Sequence, residues 1–202
     1  DVFFKAWLEQ FETKKAEFRI ASLKTVLQSF FALKVYPPET FLKSWIRSFA
    51  KRIDETTIRD LTTCMCYLAM FQVKPSIRLY EQWSQFVSIW STRFRSLAST
   101  APGDQLANAL WALAKLRIRP SDDFITEWTN AFESNLSSFD SSTLAIGLWS
   151  MARLNFDLSD EFLDAWKQAW MREKDFSSSD SLSLAKSAWK RIQKRQGALV
   201  GA

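Results

Sequence analysis

The chain has 202 residues, of which 47% are hydrophobic and 15% aromatic, and this content is sufficient for a substantial core. With only four Gly and five Pro, the composition favours helices with short connections and argues against a turn-rich β fold. The net charge of +5 permits an acidic partner such as nucleic acid, and no apolar run approaches the roughly 20 residues that a membrane-spanning helix needs.

The first predicted element is a helix within residues 1–20, which we name helix B. Its aromatic residues Phe3, Trp7 and Phe11 stand at i, i+4 and i+8 and therefore share one helical face. The tryptophan returns with spacings of 38, 38, 45 and 38 residues, at Trp7, Trp45, Trp83, Trp128 and Trp166. In the third copy the flanking residues are Leu79 and Val87. Self-similarity at a fixed spacing indicates a repeat protein.

The second predicted element, helix A, opens each repeat. Its first leucine, which we number position 0, is spaced by 38, 45, 38 and 38 residues and occurs at Leu23, Leu61, Leu106, Leu144 and Leu182. Apolar residues recur at positions +4, +7 and +10, and an alanine at +8 in three copies indicates a close helix crossing. Both series contain one spacing of 45, so a single insertion of seven residues, expected within 84–105, accounts for both.

Proline and acidic residues mark the connections between the two helices. Pro37, Pro75 and Pro120 occupy equivalent positions between helices A and B, where proline suits the first turn of a helix. Acidic residues such as Glu39 and Asp122 follow, which favours a helix N-terminus through the helix dipole. Each repeat therefore contains two helices.

We predict an all-α fold, an α-solenoid of helix-turn-helix repeats of about 38 residues that winds as a right-handed superhelix. Stacked copies are needed because one helix pair cannot bury its apolar stripes alone. The predicted single solenoid segment of 1–202 comprises helix B of a truncated repeat (1–20), full repeats (21–58, 59–103, 104–141 and 142–179), a last helix A (180–196) and a tail (197–202). Because repeats are cut at both ends, we expect a segment of a longer array.

The third repeat resembles a known repeat family. The segment LANALWALAKLRIRPSDDF at 106–124 is similar to the octotricopeptide repeat, whose 38-residue unit begins with a helix of matching pattern. The matching residues are Leu106, Ala107, Asn108, Leu110, Trp111, Ala112, Leu113 and Ala114. The resemblance implies sequence-specific binding of single-stranded RNA in RNA maturation, stability or translation. It also implies a location in a mitochondrion or chloroplast if the organism is eukaryotic, and in the cytoplasm otherwise.

Cations recur near the end of helix A and in the linker after it. These phosphate-binding candidates are Lys34, Lys74, Lys115, Arg117, Arg119, Arg153 and Arg191. A series with one or two cations per repeat could follow an RNA backbone. The alternative is that these side chains only interact with the helix dipole, which favours cations near a helix C-terminus.

Position +2 of helix A varies in hydrogen-bonding character from repeat to repeat. It holds the base-reading candidates Thr25, Thr63, Asn108 and Ile146, and such variation is expected where each repeat reads one base. Position −1 also varies, but its Ser, Thr and Asp residues also serve as helix caps. Position +2 is therefore the preferred base-reading position.

The ten tryptophans divide by position. Those of the helix B pattern lie on its apolar stripe, which favours core packing over base stacking. Trp111 and Trp149 at position +5 of helix A need not be fully buried, since the same position holds Gln28 and Cys66 in other copies. Trp90 falls in the irregular region and is expected to be exposed.

The sequence offers little for catalysis. There is no histidine, no phosphate-binding glycine loop and no nucleophile elbow, so we predict no enzyme, no catalytic residue, no cofactor, no metal site and no small-molecule substrate. Cys64 and Cys66 point about 200° apart on a helix, which argues against a disulfide and for a reducing compartment.

Two hypotheses on function from different classes remain. The first is a module that binds single-stranded RNA through a basic surface formed by the helices A. The second is a protein-interaction scaffold, such as a ribosome-associated subunit or a segment of a bacterial effector, with an apolar or mixed-charge surface there. Neither hypothesis includes a membrane partner, and a repeat fold alone does not decide between them.

Overall fold

The fold is described from a computed structural model that covers the backbone of residues 2–200 and the side chains of residues 2–196. Over this range every regular element is helical, which confirms the predicted all-α class. The α-helices are α1 (Val2–Lys14), α2 (Ile20–Ala32), α3 (Glu39–Ala50), α4 (Ile58–Met70), α5 (Tyr80–Ala98), α6 (Gly103–Leu116), α7 (Asp122–Glu133), α8 (Ser141–Leu154), α9 (Asp160–Glu173) and α10 (Ser179–Val200). Short 3-10 helices lie at Ile53–Glu55, Leu136–Ser138 and Lys174–Phe176. None of the α-helices in the part of the chain searched is long and apolar enough to cross a membrane.

Helices A and B alternate along the chain in a helical-repeat arrangement. Helix B corresponds to α1, α3, α5, α7 and α9, and helix A to α2, α4, α6, α8 and α10. The first helix ends at Lys14, before the predicted limit of 20, and the last continues to Val200, beyond the predicted end at 196. Residues 201–202 of the predicted tail lie outside the described residues.

The helices form two compact units, which we describe separately. In the N-terminal unit, which ends at Leu97, α2 packs beside α4 and α1 beside α3. In the C-terminal unit, which begins at Ala98, the helices A form a row in which α8 packs between α6 and α10, and α7 packs beside α9. Like helices therefore pack side by side in each unit, and the apolar core lies between the helices A and the helices B.

A tryptophan hydrogen bond joins helix B to helix A in each complete repeat. The Trp45 indole N–H donates to the carbonyl of Leu23 at 2.8 Å, and the Trp128 indole to Leu106 at 2.9 Å. The same bond links Trp166 to Leu144 at 3.1 Å. These indoles are buried, so the bond supplies a partner that water cannot, and such bonds contribute about 1 kcal/mol each.

In the second repeat this bond is made by Trp90 and not by Trp83. The Trp90 indole donates to the Leu61 carbonyl at 3.0 Å, and its ring is fully buried. The third copy of helix B is therefore Phe86, Trp90 and Phe94, and the expectation of an exposed Trp90 is wrong. Trp83 and Trp90 are seven residues apart, which is nearly two helical turns, so both lie on the same buried face of α5. The apolar pattern of the sequence therefore fits either tryptophan.

The insertion consequently lies earlier than the predicted 84–105. Phenylalanine follows proline by four residues from Pro37 to Phe41 and from Pro120 to Phe124, but by eleven residues from Pro75 to Phe86. The seven additional residues are thus between Pro75 and Phe86, where they lengthen the linker and the first turns of α5, a helix of 19 residues. Trp83 remains a core residue, as expected for Trp45, Trp128 and Trp166.

Each of the first four helices A ends in the same backbone motif. The residue at position +11 has a positive φ of 52° to 59°, and these residues are Lys34, Gln72, Arg117 and Asn155. The next amide donates to the carbonyl five residues earlier, as from Ile118 to Leu113 at 2.9 Å, which is a Schellman motif. None of the four is glycine, although a left-handed residue other than glycine costs about 1 kcal/mol.

The first residues of α3 and α7 contradict the prediction that proline lies in the first turn of helix B. Pro37 and Pro120 precede the N-cap residues Pro38 and Ser121, so these prolines lie before helix B and not in its first turn. The hydroxyl of Ser121 accepts a hydrogen bond from the Phe124 amide. Ser121 is therefore the N-cap residue of α7, although a proline at 120 in the first turn would have placed it inside the helix.

Asp60 links two helices A and caps one of them. Its carboxylate lies 2.5 Å from Lys24 Nζ, which joins α4 to α2, and it exchanges hydrogen bonds with Thr57 in a capping box. Burial acts to raise the pKa of Asp60, but the hydrogen bonds from Lys24 and Thr57 outweigh it and hold this pKa below its ordinary value.

Candidate nucleic-acid interface

In their middle turns, helices α6 and α8 of the C-terminal unit expose one narrow stripe of side chains. Positions +2, +5 and +9 lie on the same side of the helix because they are spaced by three and four residues. We name these positions of α6, α8 and α10 the A face. In α6 they are Asn108, Trp111 and Lys115, in α8 Ile146, Trp149 and Arg153, and in α10 Leu184, Ser187 and Arg191. Each of these residues is half-buried or exposed, while most residues between them in α6 and α8 are buried.

Cations and indole rings alternate along this face. Lys115 Nζ lies 5.5 Å from the ring centroid of Trp111 and 5.6 Å from that of Trp149 on the neighbouring helix. The Arg153 guanidinium lies 5.5 Å from the Trp149 ring. Cation–π contacts of this kind contribute about 0.5–1 kcal/mol at exposed sites and hold the two rings and the two cations in one row.

The arginines of the A face also contact the end of the preceding helix A. Arg153 Nε donates to the Ala114 carbonyl at 3.3 Å, and Arg191 donates to the Asn155 side-chain oxygen at 3.3 Å. Both acceptors lie at the C-terminal ends of α6 and α8, where the helix dipole favours cations. A guanidinium has five N–H donors, so each arginine keeps donors for an anion.

The seven cations predicted to contact phosphate occupy three positions of the repeat. Lys115, Arg153 and Arg191 stand at +9, on the A face. Lys34 and Arg117 stand at +11, where the backbone is left-handed, and Lys74 and Arg119 stand at +13, in the linker. Arg119 is further engaged, because it donates to the Leu154 carbonyl and lies 3.8 Å from Asp122. The C-terminal unit alone therefore carries a cation at one position on successive helices.

The four base-reading candidates differ in the exposure of their side chains. Thr25 is exposed, but its hydroxyl donates to the Ala21 carbonyl at 2.9 Å within the same helix. Thr63, Asn108 and Ile146 are half-buried. Asn108 and Ile146 precede the tryptophans of the A face by three residues, so each lies beside an indole ring of its own helix.

The equivalent face of the N-terminal unit has no cation at positions +5 and +9. Those positions hold Gln28 and Ala32 in α2, and Cys66 and Met70 in α4. Apolar side chains are exposed nearby, with Phe31 45% exposed and Tyr36 54% exposed. Phe31 contacts Tyr67 with ring centroids 5.6 Å apart, and Phe71 contacts Tyr36 at 6.1 Å. We name Phe31, Tyr36, Tyr67, Met70 and Phe71 the aromatic patch.

Sequence reasoning grouped the cations by their distance from the helix end and did not combine them with the tryptophans. The signal was present in the sequence, because Trp111 and Lys115, like Trp149 and Arg153, are four residues apart and must be neighbours on a helix. The contact of Lys115 with Trp149 could not be read in this way, since it depends on the packing of α6 beside α8.

The thiols are unsuited to nucleophilic chemistry. Both cysteines are unpaired, in agreement with the prediction that they do not form a disulfide. Burial raises the pKa of Cys66 to about 12 and raises that of Cys64 as well, so both remain protonated at neutral pH. Among the residues that the structure describes, no group of three or more Cys, Asp or Glu side chains is arranged to hold a metal ion.

Comparison of the sequence with protein-family models and with curated proteins gives no relative from which a function could be transferred. No protein-family model matches the chain, and no curated protein matches it significantly in sequence. Function is therefore inferred from the residues and geometry of this chain.

Proposed function

We propose that the C-terminal unit binds single-stranded RNA through its A face. The observation that supports this proposal is the row of alternating indoles and cations formed by Trp111, Lys115, Trp149 and Arg153, which Arg191 extends to a third helix. Proteins that bind single strands combine cations for the backbone with aromatic rings for the bases.

The cations and rings have separate roles in this proposal. Lys115, Arg153 and Arg191 contact successive phosphates, while bases stack on the exposed parts of Trp111 and Trp149, each stack contributing about 1–3 kcal/mol. A base that stacks on an indole displaces the cation from the ring, and the released cation then pairs with the adjacent phosphate. Asn108 offers hydrogen bonds to a base edge and Ile146 does not, so we expect sequence preference at α6 and tolerance at α8.

The proposal includes the octotricopeptide resemblance and the location that it implies. The motif residues of α6 carry the resemblance, and the Trp-to-Leu hydrogen bond that recurs in each complete repeat supports the two-helix repeat unit that it requires. We propose a role in RNA maturation, stability or translation in a mitochondrion or chloroplast, or in the cytoplasm of a bacterium. The two free thiols support a reducing compartment.

The test is fluorescence anisotropy of the purified protein with short single-stranded RNAs at several salt concentrations, with duplex DNA for comparison. Three phosphate contacts predict that log K falls with log salt with a slope of about −2. Substituting Lys115, Arg153 and Arg191 together with Gln should remove most of this slope and weaken binding at least about tenfold.

The matched control substitutes Lys34, Lys74 and Arg119 with Gln, which removes the same charge outside position +9. This variant should bind RNA with nearly the affinity of the unaltered protein. Equal losses in the two variants would contradict the assignment to the A face. A folded protein that binds no RNA even at low salt would refute the proposal.

The protein-scaffold hypothesis is favoured by a separate observation, the aromatic patch of the N-terminal unit. Phe31, Tyr36 and Met70 expose apolar surface at the positions where a scaffold would contact a partner. Substituting Phe31 and Met70 with Ser should then abolish a protein interaction while RNA binding by the C-terminal unit is retained.

A further inference from the structure

The inserted residues before Phe86 expose apolar side chains that no helix covers. Ile77 is 94% exposed and Tyr80 is 65% exposed, and no other large hydrophobic side chain that the structure describes is more exposed than Ile77. Both residues lie in the middle of the sequence, between α4 and the first turn of α5, with complete helices on either side. Their exposure is therefore a property of the insertion itself.

The neighbouring linker adds a third exposed side chain. Tyr36, which also belongs to the aromatic patch, lies between α2 and α3 and is 54% exposed. Its ring centroid lies 6.1 Å from that of Phe71 at the end of α4. The Ser76 hydroxyl donates to the Glu39 carboxylate at 2.5 Å, which joins the inserted segment to the first turn of α3. The two linkers are therefore adjacent at one end of the helices of the N-terminal unit.

Cations accompany the exposed apolar residues of the two linkers. Lys34, Lys74 and Arg78 are exposed, and segments 31–38 and 70–80 contain no Asp or Glu. The exposed Phe176 of the C-terminal unit, by contrast, follows Glu173 and Asp175 within three residues. We name the three apolar residues and the three cations the linker edge, which comprises Lys34, Tyr36, Lys74, Ile77, Arg78 and Tyr80.

We infer that the linker edge binds the surface of a bilayer that contains anionic phospholipids. A side chain that is 94% exposed, such as Ile77, has almost no neighbours that could form a groove for a segment of a protein partner. A bilayer accepts such a side chain because its hydrocarbon needs no complementary pocket. Tyrosine rings suit the level of the lipid headgroups, and cations are attracted to the negative charge of the lipids.

Surface binding of this kind needs no membrane-spanning helix, and none is found in the part of the chain searched. It departs from the sequence-based prediction that excluded a membrane partner, because that prediction considered apolar runs along the sequence and not exposed side chains brought together from two linkers. The inference is independent of RNA binding, since no residue of the A face takes part in it.

The test is cosedimentation of the full chain with vesicles of equal parts phosphatidylcholine and phosphatidylserine, and with vesicles of phosphatidylcholine alone. We expect binding to the anionic vesicles that weakens with salt, and much weaker binding to the neutral ones. Ile77→Ser with Tyr80→Ser should weaken binding to the anionic vesicles at least about tenfold, because the apolar surface that enters the bilayer is removed. Both residues are exposed, so the variant should fold like the unaltered protein.

Met171→Ser with Phe176→Ser is the matched control for apolar surface. It removes two side chains of the C-terminal unit that are 58% and 84% exposed, and vesicle binding should be unchanged. The two charge variants described for RNA binding are matched controls for each other. Gln at Lys34, Lys74 and Arg119 should remove most vesicle binding, because two of the three cations of the linker edge are lost, whereas Gln at Lys115, Arg153 and Arg191 should retain it.

Four results would overturn the inference. The first is no binding of the folded protein to anionic vesicles, and the second is equal weakening by the two apolar double variants. The third is equal weakening by the two charge variants, which would show that net charge and not the linker edge attracts the vesicles. The fourth is self-association in sedimentation without lipid that Ile77→Ser with Tyr80→Ser abolishes, which would assign the linker edge to a second copy of the chain.

Discussion

Asp60 is a residue whose ionisation should affect stability, because its carboxylate both pairs with Lys24 and caps α4. Its pKa is lower in the folded protein than in the unfolded chain, so its contribution is present above the unfolded pKa of about 3.9 and is lost as pH falls through the folded value. We expect Asp60→Asn to lower the free energy of unfolding by about 1 kcal/mol at neutral pH. The difference from the unaltered protein should shrink toward about pH 3.

Urea denaturation at both pH values measures this difference. Asp175→Asn removes a charge from an exposed residue of a 3-10 helix and serves as the control, with no stability change expected. A difference for Asp60→Asn that stayed constant between the two pH values would show that the carboxylate charge is not responsible.

At the scale of one helix, α5 contains two tryptophans that differ in one hydrogen bond. Trp90 donates to the Leu61 carbonyl, whereas Trp83 is buried by packing alone. Trp90→Phe should therefore lower the free energy of unfolding by about 1–3 kcal/mol, and by at least about 1 kcal/mol more than Trp83→Phe. Chemical denaturation measures both, and Trp128→Phe should behave like Trp90→Phe. Equal effects in α5 would contradict the placement of the inserted residues before Phe86.

The ends of the helices A give a second prediction at this scale. Arg117 adopts a left-handed backbone, so Arg117→Gly should raise the free energy of unfolding by about 0.5 kcal/mol through relief of backbone strain. Lys115→Gly, two residues earlier in the helix, should lower it by about 1 kcal/mol. RNA affinity should change little with Arg117→Gly, because Arg117 lies outside the A face. If Arg117→Gly lost as much RNA affinity as the variant with Gln at Lys115, Arg153 and Arg191, Arg117 would be part of the RNA-binding surface.

At the scale of the whole molecule, the cations of the A face all belong to the C-terminal unit. Each unit has its own core, so we expect fragments 1–98 and 99–202, divided after the last residue of α5, to fold separately, with cooperative thermal transitions in circular dichroism. Fragment 99–202 should retain salt-dependent RNA binding, and fragment 1–98 should lack it. RNA binding by fragment 1–98 alone would instead implicate Lys34, Lys74 and the aromatic patch.

The repetition made most of the fold predictable. Helix periodicity is a local property of spacings of three and four residues, and the copies of helix A agreed with one another, five of them at positions 0 and +7 and four at position +4. The candidate site was harder to predict from the sequence. Residue type and position indicated Lys115 and Arg153. The contact of Lys115 with Trp149, however, joins residues 34 positions apart, and that of Arg153 with the Ala114 carbonyl joins residues 39 positions apart.

The sequence by itself determined the helical class, the register of the helices A and the pairing of a helix A with a helix B, because each depends on apolar periodicity within one or two helices. Only the tertiary structure decided which tryptophan of α5 is equivalent to Trp45, since residues seven apart face almost the same way on a helix. It also decided that the cations at +9, but not those at +11 or +13, lie in a row with the indoles. Exposure and alignment across neighbouring helices depend on packing between distant segments, and a local pattern carries no information about that packing.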